Sequence, residues 1–432
     1  MGKAIRSSSK EGRSILRSVV GYAVIALLCL FGWFGVRTQI GNMLADLTSP
    51  SREDALDVAS VAMAMSPRDP RPLWLSAMAL KRSFVPEDMD QSVMHLEDAV
   101  GLNPNNYGSW TDLARGYEQT ERYEFAEAAL KRSIEIAPAY AIPHWQMANF
   151  LIRQGRPDEA MVELRRVIEV RSPYRDQAFG LMWDYFGKDP AVLESLADDI
   201  PDAKLALSNF YANRSSGRNA LRIWASLTAE QKGSNPNLVK LMAFKLNATG
   251  FLKESMAVAR DIGMITDEQP ETINNGGFEQ AIGDPYQKLF WWNVFRDDNR
   301  IDALPDSQNK IEGSRSMKIV FRNYAKPELY NVAQSVAVSE SQSYRLMFKA
   351  RTSNLRSAGP PYVEVVTLPS RQHIANTEPF PIGSNDWQDV AIDVNVPAGV
   401  EAIEIRTVRI RCPEECSING TLWYDDFRLS RK

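Results

Sequence analysis

The chain has 432 residues, 44% of them hydrophobic and 24% charged, with a net charge of −4. That length allows two or three domains, and the mild acidity, with no basic stripe among aromatics, argues against a nucleic-acid partner. Three cysteines exclude a disulfide scaffold, and three scattered histidines (His95, His144, His373) offer neither zinc spacing nor a nucleophile–base pair.

Residues 1–18 form a basic tail, with Lys3, Arg6, Lys10, Arg13 and Arg17 against Glu11. Residues 19–36 then run without a charge, which is enough for one membrane crossing. The basic flank is expected on the cytoplasmic side, with the bulk of the chain outside it. A cleaved signal peptide is the rival reading. The long apolar run and the lack of a clear A-x-A site favour an uncleaved signal-anchor. Trp33 suits the outer interface, and Cys29 reads as a small lipid-facing or packing residue.

Helical periodicity starts close behind. Residues 51–65 read as a helix with Ser51 as N-cap. Trp110, Leu113, Ala114 and Tyr117 then fall on one helix face, Ala126 and Leu130 on a second, and Pro138 ends the pair. The same spacing recurs upstream at Leu96, Ala99 and Pro104, after a helix over 74–80. Downstream it recurs at Met147, Ala148, Leu151, Ala160 and Leu164, with 155–157 as the turn. His95 and His144 lie in these helices and read as surface or groove residues. Weaker helices follow over 203–211, 220–227, 238–247 and 254–262, with Gly217 and Gly250 expected in turns.

The text W-x2-L-A-x2-Y, A-x3-L and P over residues 107–138 resembles the tetratricopeptide repeat, a helix–turn–helix unit of roughly 34 residues. Ala114, Leu130 and Ser133 depart mildly from its signature. The resemblance implies a helical solenoid over 51–266 whose concave groove binds a protein or peptide.

Near residue 270 the period changes to two. Strands are expected over 317–321, 333–338, 344–350, 362–367, 388–396, 402–409 and 421–429, spaced as in an all-β sandwich. The segment 274–279 reads N-N-G-G-F-E, and the last strand carries Asp425-Asp426-Phe427-Arg428-Leu429. With G-S-R-S-M-K-I at 313–319 and N-D-W at 385–387, this resembles the jelly-roll carbohydrate-binding modules and galactose-binding-like domains over 273–430.

That resemblance implies two candidate sites. Glu279 and Asp426, with Asp425, would tie the first and last strands through a structural calcium ion, for which hard oxygen ligands are suited. The bland alternative is that the two aspartates only punctuate the strand. A glycan would need exposed aromatic faces, for which Trp291, Trp292, Tyr286, Tyr330 and Tyr362 are candidates. If 291–292 lie on a strand, one of the pair must face outward. Trp387 and Trp423 fall at positions that read as core in that family. Separately, Cys412 and Cys416 are placed to close a small disulfide in an oxidising compartment; a redox pair or a metal site lacks the required partners.

The expected fold class is therefore multidomain α + β: one transmembrane helix, a tetratricopeptide-like α-solenoid and a C-terminal β-sandwich. The layout resembles bacterial envelope proteins of exopolysaccharide or O-antigen assembly. It suggests a non-catalytic adaptor in the inner membrane with its bulk in the periplasm. A second reading keeps the array but makes the sandwich structural or protein-binding. A glycoside hydrolase or lyase is the weakest reading, because Glu279, Glu364, Glu378 and Asp389 show no pairing of the kind such chemistry needs.

Overall fold

The computed structural model describes residues 4–432 except 84, 283–287, 295–297, 327–328, 330–331, 411 and 413–415, with side chains described from residue 19 onward. It is a multidomain α + β chain of helical repeats followed by an antiparallel β-sandwich. Two compact units divide it, Met1–Ala178 and Phe179–Lys432.

The first unit begins with α1 (Ala4–Leu47), a helix whose segment Val19–Leu47 is long and apolar enough to cross a membrane. Next come α2 (Ala55–Met65), α3 (Pro70–Leu80), α4 (Pro86–Leu102), α5 (Tyr107–Gln119), α6 (Tyr123–Ile136), α7 (Ala141–Arg153) and α8 (Pro157–Glu169). α9 (Tyr174–Tyr185) spans the division between the units. Ser51 is not the N-cap of α2. Its hydroxyl lies 2.7 Å from that of Ser49, and the helix starts four residues later, after Asp54. Asn106 caps α5 by accepting from the amides of Gly108 and Ser109, as a short polar side chain does at a helix start.

The hairpins hold together through the periodic residues. Ala77, Val93, Leu96, Val100 and Leu113 form one buried cluster, with Trp74, Trp110 and Tyr117 packed against it. Full burial of Leu96 or Leu113 stabilises by about 1.5–3 kcal/mol each. Ser133 departs from a small apolar residue at no cost in unpaired polarity: it is buried, its hydroxyl donates to the Tyr107 carbonyl at 2.9 Å and lies 2.8 Å from the Thr111 hydroxyl.

His144 is not a surface or groove residue. It is buried between α7 and α8, with Nδ1 2.6 Å from Glu163 Oε2 and Nε2 3.0 Å from the Pro138 carbonyl oxygen. Both contacts are with acceptors, so the arrangement suits the doubly protonated ring. The Glu163 hydrogen bond raises the His144 pKa above its ordinary 6.5, against the opposing effect of burial. A raised histidine pKa means that this stabilisation is complete below about 6.5 and is lost as pH rises through the higher folded value. We expect the melting temperature of the chain to fall from pH 5 to pH 8 by more in the wild type than in His144→Gln. The difference corresponds to about 1–3 kcal/mol, read by thermal melts across pH; parallel curves would refute it.

The second unit carries α10 (Pro190–Ala197), α11 (Pro201–Asn213), α12 (Gly217–Ala225), α13 (Ala229–Gly233), α14 (Pro236–Ala248) and α15 (Leu252–Asp261). Gly250 sits in a turn at φ +85°, whereas Gly217 is the first residue of α12, where an added Cβ would run into the Phe251 ring. Ten strands follow: β1 (Asn293–Val294), β2 (Ile301–Asp306), β3 (Ser316–Tyr324), β4 (Val332–Ala337), β5 (Ser343–Arg356), β6 (Pro361–Thr367), β7 (His373–Asn376), β8 (Gly383–Asn395), β9 (Ala402–Arg409) and β10 (Ile418–Arg431). They form two five-stranded sheets, ordered β1-β4-β9-β6-β7 and β2-β3-β10-β5-β8. Alternating residues such as Tyr344, Leu346, Phe348, Val363, Val365, Ile403 and Ile405 fill the space between them, as the period of two requires. The last hairpins are tied to the sandwich within this unit. Lys253 and Arg218 reach Glu401 at 3.2 and 3.3 Å, and the Glu271 amide donates to the Ala337 carbonyl at 2.7 Å.

Candidate functional site

In the first unit, the residues of α5 and α7 that do not face the core line a groove. Leu113 and Ala114 point inward from α5; Met147, Ala148 and Leu151 do so from α7. Arg115, Glu118, Gln119, Trp145, Gln146, Asn149 and Arg153 therefore share the other side. With Lys81 they bound a pocket of about 400 Å³. Arg153 grips Glu118 with Nε at 2.6 Å and Nη2 at 2.8 Å, and Arg115 Nε donates to Gln146 Oε1 at 3.2 Å. The Lys81 ammonium makes no ion pair among the described residues. Burial lowers its pKa, with Asp112 opposing at longer range. Glu118 is thus spent on Arg153, and neither Lys81 nor Arg115 has an ion-pair partner of its own among the described residues. An extended segment with acidic groups is the complementary shape and charge.

The sandwich sorts its aromatic candidates differently from the sequence expectation. Trp292 is 3% exposed and packs against Phe278 and Phe427, at ring-centroid distances of 5.1 and 4.9 Å. It is a core residue and presents no face to a sugar ring. Trp291 precedes β1 and is half-buried: Nε1 donates to Glu268 Oε1 at 3.0 Å, and Lys288 Nζ stands 3.9 Å over its ring. Tyr286 and Tyr330 lie outside the described residues. Tyr362 lies on β6, out of phase with the inward Val363 and Val365. On that face its cross-strand partner on β9 is Val408, with Glu364 two residues further along β6 and Arg406 opposite Glu364. Arg406 stands 2.6 Å from Glu364 and 3.3 Å from Glu404. An aromatic ring beside a fixed charged network is the composition of a polar ligand site.

Trp423 is the largest difference from the family expectation. Tyr424 and Leu422 point into the core, but Trp423 is buried on the opposite, outer face of the second sheet. Lys318 and Arg351 flank its ring at 5.5 and 5.7 Å, and Nε1 donates to Asp306 at 2.9 Å. Burial pushes the Asp306 carboxyl up, but hydrogen bonds from Trp423, Gln308 and Asn309 outweigh it and hold the pKa at about 2. Trp387 is likewise not in the core cluster and is half-buried on β8. The signal was present in the sequence: Trp423 and Tyr424 are adjacent on a strand, so only one can face inward.

Glu279 and Asp425 are drawn together. Both lie within 3.9 Å of the position a Cβ on Gly277 would occupy. Glu279 accepts from the Ser314 amide at 2.8 Å and the Ser314 hydroxyl at 2.5 Å, which together hold its pKa below the usual range. Asp425 is fully buried. Its Oδ2 accepts from the Ile311 amide at 2.9 Å, while Oδ1 is buried without a hydrogen-bond partner. Burial raises its pKa. Asp426 does not join them. It sits at φ +58° in a β-bulge, with its carboxylate 2.6 Å from Arg428 Nε. No three acidic, His or Cys side chains cluster as a metal site among the described residues. A buried carboxyl oxygen without a partner beside a second carboxylate fits a hard cation; Glu279 and Asp425 would hold it.

Three of the carboxylates considered for sugar hydrolysis lie on different elements. Glu364 is on the first sheet and paired with Arg406, and Asp389 is on the second, 2.5 Å from Lys349. Glu378 is exposed in the loop after β7. Cys412 and Cys416 are joined in a disulfide, with Cα atoms 6.2 Å apart, and Cys29 is free and exposed on α1.

Against known proteins, the Tetratricopeptide repeat family matches residues 107–140. None of the curated proteins matches the sequence. Among solved structures, the chain is similar to a CBM4 structure, 17% identical with a TM-score of 0.28, over 37% of this chain and 99% of that one. It is also similar to MamA, 15% identical with a TM-score of 0.31, over 47% of this chain and 97% of that one. A third is TTC0263, a thermophilic TPR protein of Thermus thermophilus, 20% identical with a TM-score of 0.27, over 49% of this chain and 98% of that one.

Proposed function

We propose that this chain is a non-catalytic scaffold of the bacterial inner membrane. Residues 19–36 anchor it in the bilayer with the N-terminus in the cytoplasm, and the array over 51–266 and the sandwich over 273–430 stand in the periplasm. The basic tail supports that orientation, and the pair Cys412 and Cys416 suits an oxidising compartment. The array binds a protein partner and the sandwich a polysaccharide, in a setting such as exopolysaccharide or O-antigen assembly.

The observation that carries this reading is the groove, where neither Lys81 nor Arg115 has an ion-pair partner among the described residues while Glu118 is occupied by Arg153. Its partner is an extended acidic segment. Full-length protein in nanodiscs should bind acidic fluorescent peptides more tightly than basic ones of the same length. The double variant Lys81→Glu with Arg115→Glu should weaken the acidic peptides at least about tenfold, a change of about 1.4 kcal/mol. Equal binding of both peptide sets, unmoved by the variant, would sink the reading.

A second reading, in which the sandwich is structural or protein-binding, is favoured by one observation: Trp292 is core and Trp291 is half-covered by Lys288. The glycan reading then rests on Tyr362 and its charged neighbours on the outer face of the first sheet. Retention on a glycan array that disappears in Tyr362→Ala supports the first reading. Absence of retention on every glycan supports the second.

A further inference from the structure

α1 does not end where its apolar run ends. The charge-free stretch closes at Val36, yet the helix continues to Leu47, and its last turns are built into the repeat array. α2 returns antiparallel along them. Ala45 packs with Ala59 and Ala62 in one buried cluster. The Arg37 guanidinium donates to the Ala64 carbonyl. A Cβ on Gly41 would lie 3.0 Å from both the Ala62 carbonyl oxygen and Met65 Cβ, and closer still to Ser66 Oγ. Gly41 is therefore the point of closest approach, and only glycine lets the two helices meet there.

This pairing fixes heights. A span over residues 19–36 rises about 27 Å at 1.5 Å per residue, close to the hydrocarbon thickness of a bilayer. Arg37 then stands at the outer edge of the hydrocarbon, and residues 37–41 cross the headgroup layer, which is roughly 5–8 Å deep. Residues level with 37–41 lie in the same layer. Those are the end of α2 and the turn into α3, residues 64–68. The opposite end of the hairpin, at residues 48–54, stands about 15 Å further out.

The composition at that level suits a lipid interface. Ile40 is 40% exposed, Met65 is half-buried, and Arg68 is exposed. Arg68 makes no ion pair among the described residues, and Arg37 is the first charge after the span. Apolar side chains beside arginines are what the boundary between acyl chains and phosphates accepts.

We propose that residues 64–68 seat in the headgroup layer beside α1, with Arg37 and Arg68 on lipid phosphates and Met65 against the upper acyl chains. This rests on the reading of residues 19–36 as a membrane span. The first hairpin is then docked on the bilayer with no linker between them, and the array starts at the membrane surface with its direction set by α1.

The test uses the full chain in nanodiscs of phosphatidylethanolamine and phosphatidylglycerol, in a Cys29→Ser background with the Cys412–Cys416 disulfide intact. Single spin labels are placed at Trp33→Cys, Met65→Cys, Arg68→Cys and Glu53→Cys. Each is read for collision with lipid-dissolved oxygen and with an aqueous nickel chelate. The expected order of nickel accessibility is Glu53 highest, Arg68 and Met65 well below it, and Trp33 lowest, with oxygen accessibility in reverse. If Trp33 is buried in lipid while Met65 and Arg68 are as aqueous as Glu53, the seat is overturned and the anchor stands. If Trp33 itself is aqueous, the anchor fails and the seat with it. A second variant, Gly41→Leu, should split α2 from α1 and return the Arg68 label to the aqueous value while Trp33 stays in lipid; an unchanged Arg68 label would count against the geometry.

Discussion

Trp292→Ala destabilises the second unit by about 3–5 kcal/mol, the usual range for removing a large aromatic from a core, whereas Trp291→Ala costs about 1 kcal/mol. The two residues are adjacent and chemically identical, so the contrast isolates their surroundings. The Trp292 ring closes an aromatic cluster with Phe278 and Phe427, and Nε1 donates to the Asn275 carbonyl at 3.1 Å. Removing it empties the space between the opening segment of the sandwich and the final strand. Trp291 loses one part-buried hydrogen bond to Glu268 and a cation contact with Lys288. Urea melts followed by fluorescence read both. The consequence for function is direct: any loss of glycan retention in Trp292→Ala would report unfolding, while Trp291→Ala can be read as a test of contact. Equal stability of the two variants would overturn the assignment of Trp292 to the core.

The helical repeats were legible because one signal carries them. Small and large apolar residues at i, i+3, i+4 and i+7 recur at a fixed period, and α4 to α8 lie where that spacing put them. α9 and α10 were not foreseen. α10 is eight residues long, too short for a period to emerge. Seven of the strands were visible as alternating runs. β1, β2 and β7 were not, because two or four residues hold no alternation and Pro305 interrupts β2. The sites were less legible than the fold. Periodicity tells which residues share a face, and so predicted that Leu113 and Met147 are inside. It does not tell which outward side chains already have partners. That Glu118 is spent on Arg153 and Glu364 on Arg406 depends on contacts 35 and 42 residues apart in sequence. The same limit hid His144, whose partner Glu163 is on the next helix.

We expect calcium to raise the melting temperature of the sandwich and Asp425→Ala to abolish the increment. A ligand that binds only the folded state at about one hundred times its dissociation constant adds about 2.7 kcal/mol, which is several degrees of melting temperature for a unit of this size. The argument is electrostatic. Without a cation, Asp425 is a fully buried carboxylate with one oxygen that has no donor, and burial raises its pKa. A carboxylate whose folded pKa is raised favours the native state only when protonated, so its ionisation destabilises as pH rises through the ordinary range to the raised value. A divalent cation shared with Glu279 reverses that sign by satisfying the open oxygen. The calcium increment should therefore be largest near neutral pH and fade in acid, where protons compete for Asp425 and Glu279. Asp425→Asn keeps the shape and removes the charge. It should melt no lower than the wild type in chelator and gain nothing from calcium. Asp426→Asn, which breaks only the pair with Arg428, should keep the calcium increment. Differential scanning calorimetry of wild type and the three variants, in calcium and in chelator at pH 5 and pH 7.5, separates these outcomes. If calcium leaves the wild type unmoved at pH 7.5, Glu279 and Asp425 are held by protein hydrogen bonds alone, and the first and last segments of the sandwich are joined through backbone contacts such as the Phe427 amide on the Gly276 carbonyl at 3.0 Å.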